Sequence, residues 1–266
     1  MCARSLLAGT LLAAYLLATT GARRTRERLA AAWWPCVVLG VLNGALPFWL
    51  VAWGEQHIDS GIAAIAQATV PIFSVVIGLR FLPHERVGPL RLAGVGVGLA
   101  GVAMLTGLDP SGGGRWAAAG TLAVVLASVC YASAGIFGQL RIHSVPGPVL
   151  ATGSMLVSGA VLVPLAAADA SETRPSAWAV VSLLALAIGG TAAAQLVLFR
   201  VLRLYGARKL SLVTYLMPGF AVVYGAVLLD EPVTAAALAG LALILLGVAL
   251  GSGGLRARRT VEAPAK

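Results

Sequence analysis

The chain has 266 residues, of which 59% are hydrophobic and only 11% are charged, and its mean hydropathy is +0.92. Soluble domains carry about a quarter charged residues, so this composition excludes an ordinary soluble fold and predicts a protein embedded in a lipid bilayer. The net charge of +9 does not indicate nucleic-acid binding, because the arginines stand in short clusters between apolar runs and outside any recognition motif.

Apolar runs with the length of a membrane span follow one another along the whole chain. A transmembrane helix needs roughly 20 mostly apolar residues. Nine runs approach or exceed this length, at residues 3–20, 33–53, 60–82, 89–107, 116–138, 147–167, 177–199, 209–229 and 233–252. We therefore predict an all-α integral membrane protein with nine transmembrane helices, joined by connections too short to hold a soluble domain.

The basic residues are distributed unequally between alternate connections. One set of connections, together with the C-terminal tail 254–266, holds sixteen of the 19 Lys and Arg residues, while the other side holds Arg4, Arg115 and Arg174. Since basic residues are enriched on the cytoplasmic side of a membrane, the C-terminus is predicted to be cytoplasmic. With nine spans, Met1 then faces outward.

The first twenty residues have a second interpretation, as a signal peptide. Arg4 precedes an apolar stretch that ends in "ATTGA", which is typical of such a peptide. A signal peptide here would require translocation of the following cluster "RRTRER", against the charge rule. A membrane helix is therefore the favoured interpretation.

An internal repeat follows residues 71 and 218. Residues recur at a nearly constant spacing, and the matched pairs are Pro71 with Pro218, Glu85 with Glu231, Gly94 with Gly240, Gly101 with Gly247, and Gly107 with Gly253. Because Glu85 is predicted to lie inside and Glu231 outside, the two halves have opposite orientations. We predict a first repeat over 1–107 and a second over 116–253.

The predicted helix at 116–138 has no counterpart, because the matching segment would precede Met1. We therefore expect a ten-helix architecture of two inverted five-helix halves, from which this chain lacks the first helix. The alternative is a truncated membrane protein that does not transport. Comparing transport by this chain with transport by a version carrying the additional helix would separate the two.

Two segments carry a family resemblance. "HERVGPLRLAGVGVGLAGVAML" and "DEPVTAAALAGLALILLGVAL" resemble the repeated motif of EamA-type transporters in the drug/metabolite transporter superfamily. Arg4 resembles the arginine that commonly opens the second helix of that family. The resemblance implies a ten-helix inverted repeat, no cofactor, and movement of small metabolites by alternating access, with export as the expected direction. A secondary-type transporter for small organic metabolites or drugs is the predicted function.

Sequence motifs typical of enzymes are absent: there is no G-x-S-x-G, P-loop, H-E-x-x-H or C-x-x-C pattern. The three histidines fall in different connections or at helix ends, which argues against a shared metal site. We predict a protein that is not an enzyme, whose partners are a small-molecule substrate and the lipid bilayer.

Polar residues inside the apolar runs are the candidate substrate ligands, because polarity within a membrane is costly unless it serves packing or a pathway. Asn and Gln there either face a cavity or bond between helices, and Tyr and Trp either bind substrate or anchor at the interface. The predicted substrate residues are Asn43, Trp53, Gln67, Tyr131, Gln195, Thr214 and Tyr215. Pro71 and Pro218 are predicted hinges.

The remaining features have structural interpretations. Gly94, Gly98 and Gly101 give the fourth run a small face, and Gly240, Gly247 and Gly251 give one to the ninth. These faces predict a tightly packed helix pair and leave a homodimer open. The "DEPVT" segment predicts a helix start, with Pro232 in the first turn. Arg4, Glu55, Arg80 and Arg200 are expected near helix ends, where they can reach water.

Overall fold

The computed structural model describes residues 1–81, 88–107, 114–142, 145–168, 176–197, 200, 204, 220, 222–230 and 233–251. This part of the chain is helical and contains no strand. Six of its helices are long and apolar enough to span a membrane, and two shorter apolar helices accompany them. The prediction of an all-α integral membrane protein is confirmed. The number of nine helices stays a prediction, because most of the run 209–229 lies outside the described residues.

The elements follow the predicted runs closely. In chain order they are α1 (Cys2–Thr20), α2 (Ala22–Ala31), α3 (Trp33–Gly40), a π-helix (Val41–Ala45), α4 (Leu46–Gly54), α5 (Ser60–Gln67), α6 (Val70–Phe81), α7 (Pro89–Gly107), α8 (Gly114–Arg141), α9 (Gly147–Ala168), α10 (Ala177–Ala187), a second π-helix (Ile188–Ala193) and α11 (Ala235–Gly251). The span that contains α3 runs from Trp33 to Gly54, the one that contains α5 from Ser60 to Phe81, and the one that contains α10 from Ala177 to Val197.

Helix α2 occupies what the sequence indicated only as a charged connection. Its Thr25 is buried, and the Thr25 hydroxyl is hydrogen-bonded to that of Thr20 at 2.8 Å. Leu29 packs against the apolar cluster that includes Cys36, while Arg23 pairs with Glu27 at 2.9 Å on the exposed side. Two inward-facing residues therefore fix a short basic helix to the bundle.

The chain forms two compact units, and neither coincides with a sequence repeat. The first unit comprises Met1–Trp53 and Ser133–Leu216, and the second comprises Gly54–Ala132 and Met217–Lys266. Each unit therefore draws segments from both predicted repeats.

Close helix packing in the first unit depends on glycine. A Cβ added to Gly9 would lie 2.8 Å from Leu156 Cδ2, and one added to Gly40 would lie 2.6 Å from Val157 Cβ. Helix α1 and the span that begins with α3 thus both press against α9, as small residues allow in membrane proteins. Since α1 packs as a member of the bundle, the structure favours the helix interpretation of residues 3–20.

In the second unit, α7 packs on α11 through the predicted glycine faces. A Cβ at Gly247 would lie 2.5 Å from the Gly94 carbonyl oxygen and 2.6 Å from the Gly98 nitrogen. A Cβ at Gly101 would lie 3.0 Å from the Gly240 oxygen. The backbones of the two helices are therefore in direct contact, and the packing predicted from their glycine spacing is present.

Helix α11 begins later than predicted. Its first residue is Ala235, and the Thr234 hydroxyl accepts a hydrogen bond of 3.1 Å from the Ala237 N–H. Asp230 has a left-handed backbone conformation, with φ of 53°, just after the preceding helical segment. The Thr234 hydroxyl therefore caps the start of α11. Glu231 and Pro232 lie outside the described residues.

Candidate substrate site

Three of the predicted substrate residues lie where the helical backbone is irregular. Asn43 is inside the first π-helix, Gln67 is the last residue of α5, and Gln195 closely follows the second π-helix. All three side chains are partly buried. Such π-turns are frequent at functional sites, and interrupted helices form binding sites in many transporters. The irregular backbone thus marks these positions independently of their polarity.

The two π-helices occupy equivalent places in the two repeats. Val41–Ala45 follows the helix that begins at Trp33, and Ile188–Ala193 follows the helix that begins at Ala177, beside Trp178. The repeat spacing of 146 residues, as between Glu85 and Glu231, matches Val41–Ala45 with residues 187–191, so the two π-helices correspond to within two residues. The irregularity therefore recurs at corresponding positions of the two predicted repeats.

The interruption between α5 and α6 has an identifiable cause. Pro71 has no N–H, so the Gln67 carbonyl oxygen cannot accept the usual helical hydrogen bond from the residue four positions on. The Ser128 hydroxyl of α8 lies 3.5 Å from that oxygen and 3.3 Å from the Ala66 oxygen, and Thr69 Oγ1 donates to Ala66 at 2.6 Å. Hydroxyl groups thus stabilise the break. Pro71 lies in the first turn of α6, and its action as a hinge stays a prediction.

Removing the Ser128 hydroxyl is expected to weaken this junction. The Ser128 hydroxyl lies 3.2 Å from the Val124 carbonyl of its own helix and within 3.5 Å of the Ala66 and Gln67 carbonyls, so its proton is shared among acceptors on both helices. Ser128→Ala removes this hydroxyl, and we expect a loss of about 1 kcal/mol in the free energy of unfolding. Thermal denaturation of the purified protein in detergent measures it. Ser74→Ala is the control, because that hydroxyl donates to Val70 within its own helix. Equal losses in both variants would show that the contact between helices does not matter.

A charged network joins α1 to the second π-helix in the first unit. Arg4 Nε donates to Thr191 Oγ1 at 2.8 Å, and the Thr191 hydroxyl donates in turn to the Leu186 carbonyl at 3.0 Å. The guanidinium carbon of Arg4 lies 4.8 Å from the centre of the Phe48 ring, within the range of a cation–π contact. The direction of both hydrogen bonds is fixed, because the arginine nitrogen can only donate and the Leu186 carbonyl oxygen can only accept.

Arg4 is in the first turn of its own helix, and its contacts Phe48 and Thr191 each lie six residues before the end of a neighbouring span. At roughly 1.5 Å per residue, Phe48 is about 22 Å from the start of its span at Trp33 and about 9 Å from its end at Gly54. Thr191 is likewise about 21 Å from Ala177 and about 9 Å from Val197. The contact between Arg4 Nη1 and the Met1 sulfur, at 3.8 Å, is exposed, and the expectation that Arg4 reaches water at a helix end stays a prediction.

The other predicted residues are distributed over both units. Asn43, Trp53 and Gln195 belong to the first unit, and Gln67 and Tyr131 to the second; Trp53 and Tyr131 are partly buried. Tyr131 lies one turn beyond Ser128 on α8. Thr214, Tyr215 and Pro218 lie outside the described residues.

The first unit also has a cleft that the sequence did not indicate. Its volume is about 620 Å³, and its polar lining groups are Tyr15 and Arg200, both exposed. The other lining residues are Ile142, Val145, Pro146, Gly147, Pro148, Leu150, Leu196 and Val197. Leu196 and Val197 directly follow Gln195, while Pro146, Gly147 and Pro148 line the cleft at the start of α9.

The polar groups at the irregular segments are suited to bind a solute through hydrogen bonds. Nowhere among them do three His, Cys, Asp or Glu side chains come close enough to hold a metal ion. The groups that the irregular segments offer are amides, hydroxyls and one guanidinium. Apolar helices of membrane length with interrupted backbones at polar residues are typical of a polytopic membrane protein that binds a solute within the bilayer.

The EamA-like transporter family matches this chain over residues 1–107 and 118–252, and the chain belongs to that family. The protein is thus a membrane transporter, as its family resemblance predicted.

Known relatives agree with this assignment. "Uncharacterized transporter YoaV" of Bacillus subtilis is 28% identical over 216 residues, covering 80% of this chain and 73% of the relative. "Uncharacterized inner membrane transporter YedA" of Escherichia coli is 34% identical over 163 residues, covering 60% of this chain and 49% of YedA. The match to YedA therefore spans about half the length of that relative.

A solved crystal structure has the same fold. It aligns with a TM-score of 0.66 and 22% identity, over 97% of this chain and 88% of its own. At this level of identity the similarity concerns the fold alone.

Proposed function

We propose that this protein is a secondary transporter that exports small organic metabolites or drugs by alternating access. The observation that carries the proposal is the coincidence of irregular backbone with intramembrane amides at Asn43, Gln67 and Gln195. Backbone can leave regular helical geometry at membrane depth only where protein or a water-filled cavity surrounds it. Polar side chains at such places are suited to bind and release a solute.

In this proposal the substrate is held by hydrogen bonds and by aromatic contacts. The hydrogen-bonding residues are Asn43, Gln67, Gln195 and Thr214, and the aromatic residues are Trp53, Tyr131 and Tyr215. Pro71 and Pro218 are the hinges, and the repeats 1–107 and 116–253 move between two states. The substrate is moved without covalent change, so the protein acts without a cofactor and is not an enzyme.

We place the protein in the bacterial inner membrane with residues 254–266 in the cytoplasm, in accord with its basic connections and with the location in the name of YedA. A homodimer is compatible with this arrangement. Because Gly94, Gly98, Gly101, Gly240 and Gly247 are used in packing α7 on α11, a dimer would use other faces of these helices.

Two substitutions test the proposed site. Gln195→Ala and Tyr215→Ala are expected to lower transport about fivefold, the effect of one lost hydrogen bond, while leaving expression unchanged. Flux is measured in membrane vesicles with a compound found by a broad efflux screen. Gln139→Ala is the matched control, since Gln139 is an exposed amide near the end of α8. Unchanged flux in both variants would remove these residues from the site.

A further inference from the structure

The cleft of the first unit lies where three helical segments begin or end. Among its lining residues, Tyr15 is five residues before the end of α1, and Gly147 is the first residue of α9. Arg200, which also lines it, is three residues beyond the span that ends at Val197. The cleft is therefore near one surface of the membrane, and the distribution of basic residues predicts that this surface is cytoplasmic.

The lining of this cleft combines a large apolar part with two polar side chains. Eight of its ten described lining residues are apolar, and its volume is about 620 Å³. Tyr15 supplies a phenol and Arg200 a guanidinium, and both residues are exposed, so the cleft is open to its surroundings. Tyrosine is typical of the interface between membrane and water, and a guanidinium binds phosphate through paired hydrogen bonds. These groups suit a ligand with one anionic end and one apolar end.

The basic helix α2 packs beside the cleft. Leu29 of α2 and the cleft residues Val145 and Leu150 contact the same apolar cluster, which is formed by Leu16, Ala32, Cys36 and Val149. The arginines of α2 are exposed, and its one acid, Glu27, pairs with Arg23. Four arginines and one glutamate leave this helix with a net charge of +3. Basic residues next to the cytoplasmic end of a membrane helix attract anionic lipids, so the surroundings of the cleft favour an anionic head group.

We propose that this cleft binds one anionic phospholipid of the surrounding bilayer, with the lipid phosphate at the Arg200 guanidinium and an acyl chain along the apolar lining. A soluble phosphate compound would leave that lining exposed to water, whereas an acyl chain covers it. A zwitterionic lipid with a choline group would bring a further cation next to Arg200 and α2. The site goes beyond the proposed function, because the lipid is bound at the membrane surface and is not the transported compound.

The test measures lipid binding to the full chain in detergent by native mass spectrometry. The protein is titrated with phosphatidylglycerol and with phosphatidylcholine that carry the same palmitoyl and oleoyl chains, and the lipid-bound protein is then exposed to glycerol phosphate. The two lipids differ only in the head group, so their comparison isolates its charge, while glycerol phosphate tests a soluble source of the phosphate. We expect one phosphatidylglycerol to bind about tenfold more tightly than phosphatidylcholine, and glycerol phosphate not to displace it at equal concentration.

Arg200→Gln is expected to lower the affinity for phosphatidylglycerol about tenfold, because it removes a charged hydrogen-bond donor. The affinity for phosphatidylcholine should fall less, since its choline cation already offsets the phosphate. Arg80→Gln is the matched control, because Arg80 is an exposed arginine in the last turn of α6, at the end of a span in the second unit. We expect the lipid binding of this control to equal that of the unmodified chain.

Three results would overturn the assignment of the cleft to an anionic phospholipid. These are equal affinity of the unmodified chain for the two lipids, equal effects of Arg200→Gln and Arg80→Gln, and displacement of the lipid by glycerol phosphate at equal concentration. If Arg200→Gln does not fold, Val197→Glu decides, since Val197 is another exposed lining residue and a carboxylate there should repel the phosphate. Unchanged binding of phosphatidylglycerol by Val197→Glu would then reject the site. None of these measurements depends on transport, so they leave the proposed function to its own test.

Discussion

Gly247→Leu is expected to prevent α11 from packing on α7 and to remove most of the folded protein. The Cβ alone would lie 2.5 Å from the Gly94 oxygen and 2.6 Å from the Gly98 nitrogen. Both are backbone atoms, so the strain cannot be relieved by a change of rotamer and the helices must separate. We expect a loss of about 3 kcal/mol or more in stability. Size-exclusion chromatography of the detergent-solubilised protein and its thermal denaturation measure the effect.

Gly96→Leu on α7 is the control for this substitution. A Cβ at Gly96 has no heavy atom of a neighbour within 4 Å, and the residue is exposed on the surface of the unit. The variant should therefore fold like the unmodified chain. If Gly96→Leu and Gly247→Leu lost the same amount of folded protein, the added side-chain bulk at either position, rather than the backbone contact at Gly247, would explain both results.

Pro71→Ala is expected to lower transport about tenfold while leaving the amount and thermal stability of the protein unchanged. Alanine restores an N–H that can donate to the Gln67 carbonyl, so the span Ser60–Phe81 can become a continuous helix. If the interruption acts as a hinge, a continuous helix restricts the change between the two states. Flux in vesicles at equal protein amounts is the measurement.

Pro164→Ala provides the comparison for Pro71→Ala. Pro164 lies inside α9, which continues through it, so this substitution restores an N–H without joining two separate helices. Transport by Pro164→Ala should stay close to that of the unmodified chain. Full transport by Pro71→Ala would contradict the hinge, because the interruption would then be dispensable.

The helices were predictable from the sequence, because a membrane-spanning helix requires a run of about 20 mostly apolar residues and such runs can be read directly from the chain. The predicted run 89–107 coincides with α7, and 147–167 differs from α9 by a single residue. The close packing of α7 on α11 was also predictable, because the spacing of the glycines within each helix gives that helix a face of small residues. Helix α2 was missed because its stability comes from Thr25 and Leu29 packing inward, a tertiary contact that its basic composition conceals.

The irregular backbone was not predictable, since its causes lie on other helices. The break at Gln67 is stabilised by Ser128, and Thr191 of the second π-helix is bonded to Arg4. Polarity alone selected Asn43, Gln67 and Gln195, and the structure adds that each lies at or beside an irregular segment. The contacts of Arg4 with Phe48 and Thr191 depend on how α1 is placed against its neighbours. Thr214, Tyr215 and Pro218 stay predictions.

The hydrogen bond between Arg4 and Thr191 has a consequence for biosynthesis. The two residues are 187 positions apart, and both belong to one compact unit whose chain segments are interrupted by part of the other unit. At translation rates of about 5–20 residues per second, roughly 10–40 s pass between the synthesis of the arginine and that of its acceptor. During that interval α1 is in or near the membrane, but the π-helix that carries Thr191 has not yet been synthesised. The assembly of this unit therefore follows helix insertion as a separate and later step.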